Sequence, residues 1–331
     1  MSSLRRRTGW TLVILSLLLH LFTVYCFARQ PDRYAAFTVL PIWLWGGIGL
    51  LFSCSAYYFL RAPLSLIMTG VWAVTLLVGA DEARAVANIG KDMPKPGVAA
   101  PVDGRPVIRV ITLNCHTLTF GDPSNDLAVW KPDIVLLQEV FPQHVRKIAQ
   151  TLYGGHGDYR CHDTNGIVTR WKIQREVRNP AQRDQQFTIA LPDGTSLEVV
   201  NVHLATAATD LRFWKPKTWR EHRINRASRA RELAITRGIL EQTTNFPNTP
   251  VIFGGDFNSP ASDPVHRQLE GDFTDAFNAV GTGWGDTFQR RLPILRIDHI
   301  YASHPLIPER CKAVTTRHSD HRMVVADFLM R

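Results

Sequence analysis

The sequence predicts an α/β sandwich preceded by three membrane-crossing helices. Three observations carry that expectation. The first 80 residues hold three long stretches without a charged side chain, and residues 88–106 are rich in Pro and Gly and lack periodicity. Beyond them, short apolar runs of strand character alternate with helical segments. Such alternation lets sheets bury their apolar faces under one another and under helices.

The uncharged stretches cover residues 8–28, 34–60 and 62–80. A helix rises 1.5 Å per residue, so roughly 20 apolar residues cross the hydrocarbon core. The first stretch also competes as a cleaved signal peptide. It is followed by Arg29-Gln30-Pro31 rather than by a small-residue cleavage site, and two further apolar spans come after it. Trp43, Trp45, Tyr57 and Tyr58 sit near the ends of the second span, where interfacial rings are favoured. Arg5, Arg6, Arg7 and Arg61 outnumber Arg29 and Arg33 in the intervening loop, which points to a cytoplasmic N-terminus. Three crossings then put the remainder outside. The expectation is a multi-pass protein of the plasma (inner) membrane. Residues 1–87 form its membrane domain, 88–106 a linker and 107–331 an extracytoplasmic domain.

Within that domain, residues 107–114 and 134–137 read as strands, and Pro142 opens a helix running to about residue 152. Residues 166–170, 186–191 and 197–202 read as strands, the last two joined by the hairpin turn Asp193-Gly194. A helix over 219–242 leads to strands at 251–253, 297–301 and 323–329. The order suggests two sheets packed face to face with helices outside.

A chain of 331 residues that is 45% hydrophobic has room for one large domain and an accessory part. The net charge of +9 favours polyanions or anionic lipid surfaces as partners. Cys26 and Cys54 fall in the apolar spans. Cys115, Cys161 and Cys311 leave one pair able to bridge in an oxidising compartment, without fixing which. No Cys-x-x-Cys spacing marks a zinc or redox site.

Five polar motifs each close an apolar run: Leu137-Gln138-Glu139, Asn201-Val202-His203-Leu204, Gly254-Gly255-Asp256-Phe257-Asn258, Arg296-Ile297-Asp298-His299-Ile300 and Ser319-Asp320-His321. Asn114 closes a sixth run upstream. Carboxylates, carboxamides and imidazoles recurring where strands end are what a hydrolytic site at the rim of a sheet requires. Hard oxygen donors suit Mg²⁺, which polarises phosphoryl oxygens and neutralises a leaving group.

In order and combination these motifs resemble the endonuclease/exonuclease/phosphatase superfamily, with its deoxyribonuclease I-like fold, as a membrane-anchored bacterial-type member. The resemblance covers roughly residues 107–331 and is most specific at Gly254–Asn258 with Ser319–His321. It implies a four-layer α/β sandwich, two packed mixed β-sheets flanked by helices. It also implies Glu139 as metal ligand, Asn114 beside it as ligand or positioning group, and Asp320 as a second acid on the metal side. Asp256 would orient or deprotonate the attacking water, and Asn258 and His203 would bind phosphoryl oxygens. Asp298 and His321 resemble the family's Asp–His pair, in which the imidazole serves as general base or as a cation facing phosphorus.

One departure stands out. His116 lies two residues after Asn114, where several members place an acid; this leaves a second metal position open and makes Mn²⁺ the alternative to Mg²⁺. Val168-Thr169-Arg170 resembles a family segment usually ending Ser-Arg, which makes Arg170 and nearby Asn165 candidate substrate contacts. Arg220, Arg223, Arg226 and Arg229 recur every three residues behind Phe213, Trp214 and Trp219. That stretch is either a solvated basic face or a surface for lipid headgroups or single-stranded nucleic acid, with Arg223 as candidate contact.

The resulting expectation is a membrane-anchored, divalent-metal-dependent phosphoesterase using in-line attack of an activated water on a phosphodiester or phosphomonoester. A nuclease acting on DNA or RNA is one alternative. A non-catalytic membrane scaffold is another, and the intact set Glu139, Asp256, Asn258, Asp298 and His321 stands against it.

Overall fold

The computed structural model describes residues 3–88, 90–179, 183–206 and 211–331. Ile89 of the expected linker lies outside the described residues. The chain opens with α1 (Ser3–Arg29), α2 (Ala35–Val39), α3 (Ile42–Leu60), α4 (Pro63–Gly79) and α5 (Asp81–Ala87). Helices α1 and α3 are long and apolar enough to cross a membrane; α4 and α5 make a third candidate span only if their 77° bend is counted as one crossing. The expected continuous span over 34–60 is therefore corrected. Pro41 has no N–H to donate and forces Leu40 into extended backbone (φ −77, ψ 142), so α2 ends there and α3 begins at residue 42. All five residues of α2 are buried.

Small residues let the bundle close. A Cβ on Gly49 would lie 1.9 Å from the Trp72 ring, one on Gly46 2.3 Å from Leu76, and one on Gly9 2.4 Å from Leu60. The Gly49 carbonyl accepts the Ser16 hydroxyl at 3.2 Å, and Ser16 Oγ accepts Trp72 Nε1–H at 3.0 Å.

The described residues of 88–106 contain no helix or strand beyond a Val102–Arg105 bridge, yet they are tied down. Arg109, buried and paired bidentately with Asp327 (2.7 and 2.9 Å), donates to the carbonyls of Lys95 (2.8 Å) and Gly97 (2.9 Å). The expected linker is thus a strap held against the sandwich.

The sandwich comprises β1 (Val107–Asn114), α6 (Ser124–Ala128), β2 (Ile134–Gln138), α7 (Pro142–Tyr153), β3 (Asp158–His162), β4 (Asn165–Thr169), β5 (Ile173–Arg178), β6 (Gln185–Ala190), β7 (Ser196–His203), α8 (Pro216–Thr243), β8 (Val251–Asp256), β9 (Phe273–Asp275), α9 (Ala276–Val280), β10 (Asp298–Ser303), β11 (Leu306–Thr315) and β12 (Arg322–Met330). One sheet runs β11-β12-β1-β2-β4-β3 and the other β5-β6-β7-β8-β10-β9. Each mixes one parallel pair, β1–β2 or β7–β8, with antiparallel neighbours.

Period-two burial builds the layers. Val110, Ile134, Leu136, Val199, Ile252 and Ile300 face inward between the sheets. Ile111, Leu113, Val135 and Leu137 face outward onto Val145 and Ile148 of α7. Val200, Val202 and Phe253 face outward onto Leu233 and Leu240 of α8. These are the four layers expected.

All five cysteines are free thiols. Cys115 packs in the layer under α7 with Cys161 against it, while Cys311 belongs to the core between the sheets.

Gly255 tests the packing. Its φ is +142°, and a Cβ there would sit 2.1 Å from the Val202 carbonyl of the paired strand. Backbone strain plus overpacking costs about 2 kcal/mol or more. Gly255→Ala is expected to lower the melting temperature of the detergent-solubilised chain by at least about 4–8 °C. Gly194, with open space where a Cβ would go, should tolerate Ala better in the same assay.

Candidate active site

Inward-facing residues on five strands change from apolar to polar toward one end of the sandwich. The rows read Val110-Thr112-Asn114 on β1, Ile134-Leu136-Gln138 on β2, Val199-Asn201-His203 on β7, Ile252-Gly254-Asp256 on β8 and Ala302-Ile300-Asp298 on β10. Pairing register aligns the ends: Asn114 is opposite Gln138, and His203, Asp256 and Asp298 form one row across three strands.

The two sheets are cross-linked here. Gln138 Nε2–H donates to Asn201 Oδ1 at 2.7 Å, and Asn201 Nδ2–H donates to the carbonyls of Leu137 (3.1 Å) and Gly166 (3.0 Å). Asn114 Nδ2–H reaches Glu139 Oε1 at 3.1 Å and Asp256 Oδ2 at 3.0 Å. Gly254 permits this approach, since a Cβ on it would meet Leu136 of the facing sheet at 2.9 Å.

Just past the strands the backbone turns sharply. His116, Glu139 and Asn258 have φ of 45°, 51° and 48°, conformations costly for residues with a side chain. Asp256 Oδ1 accepts the Asn258 amide at 2.8 Å and so fixes its turn. Ser319 Oγ donates to the Asn114 carbonyl (2.6 Å) and accepts the His321 amide (2.9 Å), joining the β11–β12 loop to β1.

These groups surround a cleft of about 510 Å³, lined by Asn114, Glu139, His203, Asp256, Asn258 and His321, among others. Asp320 also lines it and pairs with His116, Oδ1 to Nδ1 at 3.4 Å. Asp298 lies behind His321, its Oδ2 2.8 Å from Nδ1. Burial alone would lower the His321 pKa, but the Asp298 carboxylate overrides it and pushes the imidazole up to about 10. His203 moves the other way: burial lowers it to about 4, against the pull of Glu139, whose Oε1 is 3.6 Å from Nε2. Burial and the Asp298 charge raise Asp256 to about 7, with His321 opposing. The cleft therefore sets a neutral imidazole, a protonated imidazole and a weakly acidic carboxyl side by side.

Asn165, Arg170 and Arg223 are not brought to this cleft. Asn165 is buried at the near end of β4, where Nδ2–H donates to the Arg183 carbonyl at 3.0 Å; the Arg183 side chain is exposed and lines the cleft. Arg170 sits at the opposite end, because β4 runs antiparallel to β2, and pairs with Asp133 at 3.3 Å. Arg223 is exposed on α8 away from the lining residues, and its neighbours Arg226 and Arg229 are buried.

Sequence reasoning missed Arg183 and Asp184. Asp184 accepts the His203 amide at 3.0 Å and the Thr236 hydroxyl at 2.5 Å. It also missed the cross-sheet role of Asn201, whose signal was a carboxamide at an inward strand position.

A model of the "Endonuclease/Exonuclease/phosphatase family" matches residues 88–321. The chain belongs to this family. No curated protein sequence matches the chain. Among solved structures, a humanised Danio rerio TDP2 aligns with a TM-score of 0.51 at 18% identity, over 68% of this chain and 99% of that one. The mannosyl-6-phosphatase of Bacteroides thetaiotaomicron gives 0.53 at 16%, over 67% and 100%. The human Nocturnin catalytic domain with bound sulfate gives 0.53 at 18%, over 70% and 97%. These likenesses establish a shared fold. Family members are hydrolases of phosphoester bonds and typically use a divalent metal such as Mg²⁺.

Asn201 makes three bonds across the sheets, so Asn201→Ala removes one of the two acceptors of the Gln138 Nε2 amide, the other being Thr112 Oγ1, and a side-chain donor from each of two buried carbonyls. The expected loss is about 2–4 kcal/mol of stability, read from thermal unfolding. An unchanged melting temperature would show that the cross-link does not hold the rim.

Proposed function

We propose that the chain is a membrane-anchored, divalent-metal-dependent phosphoesterase hydrolysing its substrate by in-line attack of an activated water. The observation that carries this reading is the convergence of carboxylates, amides and imidazoles from five strands at one rim, around one cleft.

Glu139, Asn114 and Asp320 are assigned to the metal. Their donors are oxygen-rich, and the nearest partner of Asp320 Oδ1 is His116 Nδ1 at 3.4 Å, so the set suits a hard cation. Asp256, Asp298 and His321 also have ligand atoms all within 4.8 Å of one another. His321 Nδ1 and Asp298 Oδ2 already occupy each other at 2.8 Å, which favours the Glu139 side. A divalent cation there would neutralise charge on the phosphoryl and leaving oxygens.

The other roles follow from protonation. Asp256, with a pKa of about 7, accepts the proton of the attacking water near neutral pH. The His321 imidazolium, oriented by Asp298, faces the charge developing on phosphorus. Neutral His203 donates to a phosphoryl oxygen, and Asn258, whose Nδ2 donates to the Leu204 carbonyl at 3.0 Å and to Asp256 Oδ2 at 3.3 Å, exchanges the longer of these bonds for a second phosphoryl oxygen.

Activity on bis(p-nitrophenyl) phosphate is expected to vanish in EDTA and return with Mg²⁺ or Mn²⁺; full turnover in chelator would refute the metal assignment. Glu139→Ala, Asp256→Ala and His321→Ala should each lower the rate about 100-fold or more in chain that circular dichroism shows to be folded at the assay temperature. A folded His321→Ala chain with near-native turnover would refute the site.

The membrane reading rests on α1 and α3 and on charge. Arg5 donates to the Tyr58 carbonyl at 3.0 Å, so Arg5–Arg7 and Arg61 lie at one end of the bundle, and Arg29 and Arg33 at the other. The more basic end favours the cytoplasm, which supports an extracytoplasmic catalytic domain. Alkaline phosphatase fused after Pro101 should be active and green fluorescent protein dark; the reverse pattern would place the domain in the cytoplasm.

A further inference from the structure

We propose that the substrate is a phospholipid of the leaflet beneath the catalytic domain, whose phosphate enters the cleft while its acyl chains stay in the bilayer. This rests on the membrane-anchored phosphoesterase reading above and adds a substrate class to it.

The walls of the cleft are the segments seated on the helix bundle. Asn258 lines the cleft, and Pro260, two residues on, faces Phe27, Pro41 and Ile42 across a small junction cavity. Two residues span at most about 7 Å. Phe288, also in the cleft, bonds through its backbone to Leu295 (2.9 and 3.1 Å), which lines the same junction. The headgroup layer is roughly 5–8 Å thick on each side of the hydrocarbon core. The cleft wall therefore lies within about one headgroup layer of the bundle end.

The rim beside it is apolar. Phe213 packs on Val39, Leu40, Leu44 and Trp45 at the domain end of the bundle, and the adjacent Trp214 is 76% exposed. Trp284 contacts Trp43 at 5.5 Å between ring centroids, and Leu292 in the same loop is 75% exposed. Indole rings at the end of an apolar bundle match the headgroup level of a bilayer. At the same domain-side end of the bundle, Leu77 and Val78 near the end of α4 are also exposed.

The cleft itself is polar. Leu204, Phe288 and Ile297 are its only large apolar lining residues among those described, so it accommodates a headgroup and no acyl chain. Drawing the chains out of the bilayer would expose all their methylenes to water, and a cleft at headgroup depth avoids that. Among the described residues five acids line it (Glu139, Asp184, Glu232, Asp256 and Asp320) against one arginine, Arg183, and the imidazolium of His321. That balance disfavours a nucleic-acid strand, whose binding needs several cations along the backbone. In the reaction water oxygen bonds to phosphorus, one P–O ester bond breaks, and the proton released from water ends on the departing oxygen. The products are an alcohol and a phosphomonoester.

The test uses the full chain with Mg²⁺ in nanodiscs of phosphatidylglycerol and phosphatidylethanolamine, with products followed by phosphorus NMR. In a second arm the chain is held in maltoside micelles, and vesicles of the same lipids are added at equal concentration. Lipid in the chain's own bilayer should be cleaved at least about ten-fold faster, because the effective concentration is higher. Trp214→Ala combined with Leu292→Ala should lower the ratio of lipid rate to bis(p-nitrophenyl) phosphate rate at least about five-fold. Asp256-dependent cleavage of the soluble diester without lipid cleavage, or with equal rates in both arms, overturns the inference and leaves the phosphoesterase reading intact. A single-stranded oligonucleotide cleaved in preference to lipid does the same. Failure to cleave the soluble diester overturns both.

Discussion

The carboxamide of Asn201 fixes the relation between the two sheets, and the rim geometry depends on it. It is fully buried and bonds to β2 and β4 of the opposite sheet while its own strand pairs with β8. Burying such a group unpaired would be costly, so the sheets have one favourable offset in which its donors and acceptor are all used. The β7–β8 register places His203, two residues further on the same face, beside Asp256, and the offset between the sheets brings Asn114 within 3.0 Å of the same carboxylate. A one-residue slip would turn these side chains to the other face of the sheet. Gly254, opposite Asn201 in register, completes the arrangement by leaving out the Cβ that would hold the sheets apart.

Central strands were legible because their apolar runs are continuous: β1, β2, β7 and β8 are buried along most of their length. The strands without a sequence signal are β3, β5, β9 and β11, and these are the four sheet edges. An edge strand has one neighbour and a solvated side, so Ile173-Gln-Arg-Glu-Val-Arg178 carries charges where a central strand carries Val or Ile. β11 also contains Pro308 at a register shift, a residue that edges tolerate and interiors do not. Site residues followed the same logic. Asp256 and Asp298 end legible strands, so their convergence could be anticipated. Arg170 follows a strand whose direction relative to β2 no local pattern reveals, and it lies at the opposite end of the sheet.

The arginines of α8 show why spacing alone misleads. A repeat of three along a helix drifts slowly around its axis, so Arg220 and Arg223 point to solvent while Arg226 and Arg229 turn inward. The buried pair shares one carboxylate, Asp263 Oδ2, at 3.1 and 3.3 Å. Arg226 also donates to the Gln30 carbonyl at 3.3 Å and to Thr38 Oγ1 at 2.6 Å, between α1 and α3. Arg229 donates to the carbonyls of Ala205 (3.3 Å) and Thr206 (3.0 Å), which belong to the cleft wall. Arg226 has a second, exposed carboxylate partner in Asp32 at 3.8 Å, and the carbonyl and hydroxyl acceptors add to it, because an uncompensated buried charge costs about 3–5 kcal/mol. The bundle end and the cleft wall are therefore held by a single charge cluster, and neither can shift without exposing it. The apolar helices thus bear on the cleft wall through this cluster, since an unrelated helical segment would lack Gln30 and Thr38 and leave Arg226 without those acceptors.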